Sequence, residues 1–116
     1  MAAPPVGPYS PVVAAGPWLV VSGQLGARDG AIVPGGIAAQ TAQAVANLAG
    51  LLAEHGASLV DVVKTTVFMT DIADFSAINE AYAVAFGNHR PARSAVAVAG
   101  LPLGASVEVE AWAYRP

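Results

Sequence analysis

The chain has 116 residues, 55% hydrophobic and only 11% charged, a length that fits one domain with one modest core. Its net charge is −3 and it has no cysteine, which removes disulfides, thiolate metal sites and a cysteine nucleophile together. Its basic residues, Arg28, Lys64, Arg90, Arg93 and Arg115, are scattered and argue against nucleic-acid binding, while the apolar excess exceeds what a small subunit can hide and predicts an obligate homo-oligomer.

Met1–Pro5 carries neither a positive charge nor an apolar core, so no secretory signal is expected and the chain reads as cytoplasmic. Residues 1–7 are proline-rich and predict an extended arm on a single domain spanning 1–116. Val12–Ala14 and Trp18–Ser22 read as short strands turned by Ala15-Gly16-Pro17. Gln24–Gly36 holds four glycines and Pro34 and reads as a loop, with a brief strand at Ala31–Val33.

Over Gly36–Glu54 the period changes. Ile37, Thr41, Val45, Leu48 and Leu52 share one helical face, opposite the polar Gln40, Gln43 and Asn47. Gln43 and Asn47 also interrupt the most apolar run, Ala42–Ala53, well short of the ~18 apolar residues of a spanning helix. Gly56 is the expected C-cap, and His55 suits the negative end of the helix dipole.

Asp61–Thr70 is rich in β-branched residues and predicts a strand. Asp74 is the expected N-cap of a second helix carrying Phe75, Ile78, Tyr82 and Phe86 and ending at Gly87. Strands are predicted at Arg93–Ala99 and Ser106–Tyr114, joined by Gly100–Gly104. The order β-β-(β)-α-β-α-β-β predicts an α+β sandwich, a mixed sheet with two helices on one face. On the last strand Val107, Val109, Ala111 and Ala113 form one face and Glu108, Glu110, Trp112 and Tyr114 the other.

The polar residues on strands and strand edges are few: Tyr9, Ser22, Arg93, Glu108 and Glu110. Arginine at a strand start presents a planar fork to a carboxylate, and a nearby glutamate can position or deprotonate a water. On spacing alone two readings stay open. One is a hydrolytic site for a small anion; the other is a structural ion pair at Arg93 beside a solvated glutamate face. His55 and His89 lack a second ligand at metal-binding spacing and read as structural, and Asp71 and Asp74 read as caps.

Gly7-Pro8-Tyr9-Ser10, Val21-Ser22-Gly23-Gln24, and the run from Asp61 through Lys64-Thr65-Thr66 to Phe68 resemble successive signatures of the Rid (reactive intermediate deaminase, YjgF-like) family. Asp74-Phe75, Asn79-Glu80-x-Tyr82, Arg90-Pro91-Ala92-Arg93-Ser94-Ala95-Val96 and Val107–Ala111 continue the match to about Ala113. The resemblance implies a chorismate-mutase-like fold in a homotrimeric barrel, with three sites between subunits. It also implies cofactor-free hydrolysis of small 2-imino acids, or their enamine tautomers, to 2-keto acids and ammonia. On this chain Arg93 would bind the substrate carboxylate and Glu108 would hold or activate water. Tyr9, Ser22 and Gly23 would line the pocket, with the Ala95 backbone at the imine end and no metal, nucleic acid or membrane involved. The alternative is a non-catalytic trimeric module that binds a small carboxylate or another protein.

Three departures from the family pattern stand out, of which the last two bear on substrate range. Ala95 stands where many members carry cysteine, the loop after Gln24 is short, and Trp112 replaces a smaller aliphatic residue. If Gly100–Gly104 closes a simple hairpin, Glu108 lies opposite a residue near Ala97, and Arg93 is roughly 13 Å further along. That distance favours a site shared between subunits.

Overall fold

The first hairpin forms where the sequence places it, in a computed structural model that describes residues 5–116; Met1–Pro4 of the expected arm lie outside the described residues. Strands β1 (Val12–Ala15) and β2 (Trp18–Leu25) pair antiparallel across a turn in which Gly16 adopts φ 58°, a left-handed value that glycine accepts without strain. β2 runs three residues beyond the predicted Ser22, and its pairing slips between Val21 and Gln24. This β-bulge re-aims the strand at Ser22 and Gly23. The expected loop then folds into a small hairpin of its own, β3 (Ala27–Arg28) with β4 (Ala31–Ile32).

Helix α1 (Gly36–Ala53) matches the predicted span, burying Thr41, Val45, Leu48 and Leu52. Fully burying Leu48 and Leu52 contributes roughly 2 kcal/mol each. Its end is closed by Gly56 at φ 74°, with the N–H of Ala57 donating to the Leu52 carbonyl. The polar side of α1 holds neighbouring segments in place. Asn47 Nδ2 donates to the carbonyls of Leu25 and Ala27 at 3.0 and 2.9 Å, and Gln40 Oε1 accepts from Ser106 N–H at 2.9 Å.

Strand β5 (Val62–Met69) leads to helix α2 (Phe75–Phe86) and then to β6 (Ala92–Ala97). The cap differs from expectation. Asp74 makes no side-chain capping bond, while Asp71 accepts from Ala73 N–H at 2.9 Å and starts the preceding 3-10 turn. The reason is local: Asp74 has φ −81° and ψ −2°, already helical, whereas Asp71 keeps the extended backbone that a capping side chain needs.

The sheet order is β1-β2-β7-β5-β6, with β7 spanning Val107–Tyr114. The expected hairpin between the last two strands does not form. β6 pairs parallel with β5, because α2 carries the chain back as a βαβ crossover, and β7 inserts antiparallel between β2 and β5. The predicted α+β class stands: a mixed sheet with both helices on one face. Val107, Val109, Ala111 and Ala113 are buried under them, while Trp112 and Tyr114 are exposed on the other face. Among the described residues no helix is long and apolar enough to cross a membrane.

Candidate active site

Glu108 alternates with buried Val107 and Val109, so its side chain leaves the helix-covered face. It lies over Gly23 at the β2 bulge, where a Cβ would stand 2.7 Å from the Glu108 carboxyl carbon. A side chain at this position would have to displace the Glu108 carboxyl, which is the close neighbour of the Gly23 backbone. Burial pushes that carboxyl above its ordinary pKa, and the charge of Glu110 on the same face adds to the shift. A carboxylate with a raised pKa is a better proton acceptor for water.

The N-terminal segment is fastened to the same bulge. Ser22 Oγ donates to the Ser10 carbonyl at 2.7 Å, and Ser22 N–H donates to Pro11 at 2.8 Å. This holds Tyr9 nearby, its ring exposed and its hydroxyl accepting from Val6 N–H at 3.3 Å. A cavity of about 920 Å3 opens here, with Tyr9, Gly23, Leu25, Asn47, Leu103 and Glu108 in its wall. Arg93, Ala95 and Ser22 are not part of that wall.

Arg93 sits at the opposite edge of the sheet, on β6. Its register partner Thr65 is buried under the helices, and its guanidinium carbon lies 4.9 Å from the Tyr82 ring centre and 5.7 Å from that of Phe75. Cation–π attraction to the two rings holds the half-buried side chain against α2. Arg93 makes no ion pair and donates no side-chain hydrogen bond among the described residues; the salt bridge there is Arg115 with Asp61, at 3.9 Å. The structural ion pair weighed for Arg93 from the sequence is therefore absent among them.

The outer edge of β6 is also open. Val98 N–H donates to Met69, which assigns the even-numbered residues of this strand to β5. By alternation the backbone N–H and C=O groups of Arg93, Ala95 and Ala97 point away from the sheet. The Ala95 side chain packs on the core, leaving its backbone as the part accessible from the edge.

The expected site residues thus fall into two separate groups on one chain. Tyr9, Gly23 and Glu108 meet at the β1–β2 side, with Ser22 bracing them, and Arg93 and Ala95 lie at the β6 edge. Arg93 is level with Thr65 and Ala111, so Glu108 lies two strands across and three residues along. At ordinary strand spacings that is about 14 Å between backbones. The hairpin register used to argue separation was incorrect, but the separation itself remains, and the two side chains leave opposite faces.

Neither histidine lines the cavity, and each is bonded to a backbone carbonyl. His89 Nε2 pairs with the Val62 carbonyl at 2.7 Å and His55 Nδ1 with Leu51 at 3.2 Å. Among the described residues no three His, Cys, Asp or Glu side chains converge. Three supporting residues were given no role from the sequence. Thr65 Oγ1 and the Tyr82 hydroxyl share a buried hydrogen bond of 2.7 Å beneath Arg93, and Asn47 closes the cavity side. The i, i+3, i+7 spacing of Gln40, Gln43 and Asn47 was the readable signal for Asn47.

A one-sided mixed sheet of this order, with a carboxylate on its central strand and an unpaired arginine on its β6 edge, defines a small α+β protein. The sequence matches the family described as Endoribonuclease L-PSP over residues 1–115, and the chain belongs to that family, the YjgF/Rid group its motifs indicated. It is 44% identical over 113 residues to a RutC family protein of Pyrococcus abyssi, covering 96% of this chain and 89% of that one. It is 43% identical over 112 residues to the 2-iminobutanoate/2-iminopropanoate deaminase of Capra hircus, covering 95% and 82%. The crystal structure of E. coli TdcF with bound serine superposes with a TM-score of 0.93 at 37% identity, covering 99% of this chain and 94% of that one.

Proposed function

We propose that the protein hydrolyses small 2-imino acids, or their enamine tautomers, to 2-keto acids and ammonia, at sites shared between neighbouring subunits of a homotrimer. The observation that carries this is the half-buried, unpaired guanidinium of Arg93 set at an open strand edge, where an incoming carboxylate can pair with it. The deaminase name of the 43%-identical relative and the amino acid bound by TdcF support a small carboxylate as ligand.

In this reading Arg93 of one subunit holds the carboxylate and the Ala95 backbone meets the imine nitrogen. Tyr9, Ser22, Gly23 and Glu108 of the next subunit complete the pocket. Water adds to the imine carbon as Glu108 accepts its proton. The same proton then passes to nitrogen, and as the C–N bond breaks Glu108 takes the carbinol O–H proton, so that a keto acid and ammonia form; ammonia carries that proton away as ammonium and restores the carboxylate. A protonated imine is already electrophilic, so orientation and proton transfer supply most of what is needed.

The family's description names an endoribonuclease. The basic residues do not support that activity in this chain. Arg90 is bound to the carbonyls of Gly87 and His89, Arg115 pairs with Asp61, and Arg93 lies on aromatic rings. No basic stripe is left to follow a phosphate backbone.

The test is keto-acid release from imines generated in situ from small amino acids. Wild type accelerates it, and Arg93→Ala abolishes it without loss of the assembly, since Arg93 is not in the core. An unchanged rate in that variant sinks the assignment. Glu108→Gln separates enzyme from binder: lost turnover with keto-acid binding kept supports catalysis, and no turnover in wild type supports the binding module.

A further inference from the structure

Asn79 of α2 carries a buried side-chain oxygen with no hydrogen-bond partner. Buried polar atoms are nearly always paired, so an orphan of this kind requires an explanation. Its position supplies one. Asn79 follows Phe75 by four residues and precedes Tyr82 by three, which puts all three on one stripe of the helix. Phe75 and Tyr82 are the two rings over which the Arg93 guanidinium lies.

The two deficits are complementary. A guanidinium has five N–H donors, and that of Arg93 donates none of them to a side-chain or backbone acceptor among the described residues. Tyr82 cannot serve as the missing acceptor, because its hydroxyl is already engaged with Thr65. The Asn79 oxygen is the acceptor left over on the stripe that Arg93 covers.

We infer that Asn79 is a positioning residue for Arg93: when a carboxylate arrives, the guanidinium tilts on the Phe75 and Tyr82 rings and donates one N–H to Asn79 Oδ1. That bond fixes the plane of the fork and turns its remaining paired N–H groups toward the ligand. Asn79 does not itself touch substrate. The inference rests on the reading of Arg93 as the carboxylate ligand.

The test is calorimetric titration of the assembled protein with 2-oxobutanoate, paired with thermal unfolding, for wild type, Arg93→Ala, Asn79→Leu and Asn79→Ala. A positioning role predicts that both Asn79 variants bind about tenfold more weakly, with KM raised more than kcat is lowered in the imine assay. It also predicts a Tm equal to or above that of wild type, because removing an unpaired buried oxygen does not destabilise the fold. Wild-type affinity in both variants overturns the inference while leaving Arg93 in place. A fall in Tm in both, with unchanged affinity of the folded fraction, marks the amide as structural and also overturns it. Equal binding by wild type and Arg93→Ala overturns the reading of Arg93, and the role of Asn79 with it.

Discussion

Glu108 is held in the protein under conditions that oppose its charge. Its carboxyl is partly withdrawn from water against Gly23, and Glu110 stands two residues along the same face. Both effects raise its pKa, so the native state binds its proton more tightly than the unfolded chain does. Stability therefore falls as pH rises through the carboxylate range, and the ionised group remains a burden at neutral pH. Glu108→Gln removes that burden. Its Tm is expected to exceed that of wild type at pH 7, and the difference to shrink as pH falls below the ordinary carboxylate value, where both states are protonated. Thermal unfolding of both proteins between pH 4 and 8, at fixed ionic strength, checks this, and a gap that does not change with pH would refute it. The residues of this group were legible as a motif, but their division of labour was not. Nothing in Val21-Ser22-Gly23-Gln24 reveals that the serine is spent on Ser10 or that the glycine makes room for a carboxylate eighty-five residues later.

The cavity wall depends on a chain of amides between elements. Arg28 donates to Gln43, Gln43 to Asn47 at 2.8 Å, and Asn47 to the carbonyls that flank the turn from β2 into β3. Such side-chain clamps tie a short hairpin, which would be marginal by itself, to a stable helix. Asn47→Leu leaves two carbonyls without their donor and is expected to cost about 2 kcal/mol. The loss should be local first, so trypsin should cut after the exposed Arg28 several times faster than in wild type; equal cleavage rates would sink the clamp. Element identity was readable from the sequence because period and caps are local. Gly36–Ala53 and Val62–Met69 fell within a residue or so of their predicted bounds. Pairing was not readable. Whether β7 lies beside β6 or slips between β2 and β5 is settled by packing of the whole sheet, and the short Gly100–Gly104 link suggested a hairpin that does not form because β7 pairs with β2 and β5 instead.

At the scale of the molecule, the apolar surplus has a visible location. Trp18, Trp112 and Tyr114 cluster edge-to-face on the sheet side without helices, with ring centres 4.9 and 6.1 Å from Trp18, and all three are substantially exposed. An uncovered sheet face of this character suits burial in an assembly. The same assembly would solve the problem of the divided site, since the β6 edge of one subunit would bring Arg93 and Ala95 to the β1–β2 side of the next. This makes a quantitative prediction that no single-chain site shares. Arg93→Ala and Glu108→Gln are each expected to be inactive as homotrimers. Co-expressed in equal amounts and mixed at random, they form some interfaces in which Arg93 comes from the Glu108→Gln chain and Glu108 from the Arg93→Ala chain. Those sites are intact. Each of the two conditions holds half the time, so roughly a quarter of wild-type activity should return. The double variant Arg93→Ala/Glu108→Gln co-expressed with wild type gives the matching control, with intact sites only where two wild-type chains meet, again roughly a quarter. If the two single variants stay inactive together while this control regains roughly half of wild-type activity, both groups act from the same chain, and the shared site is wrong.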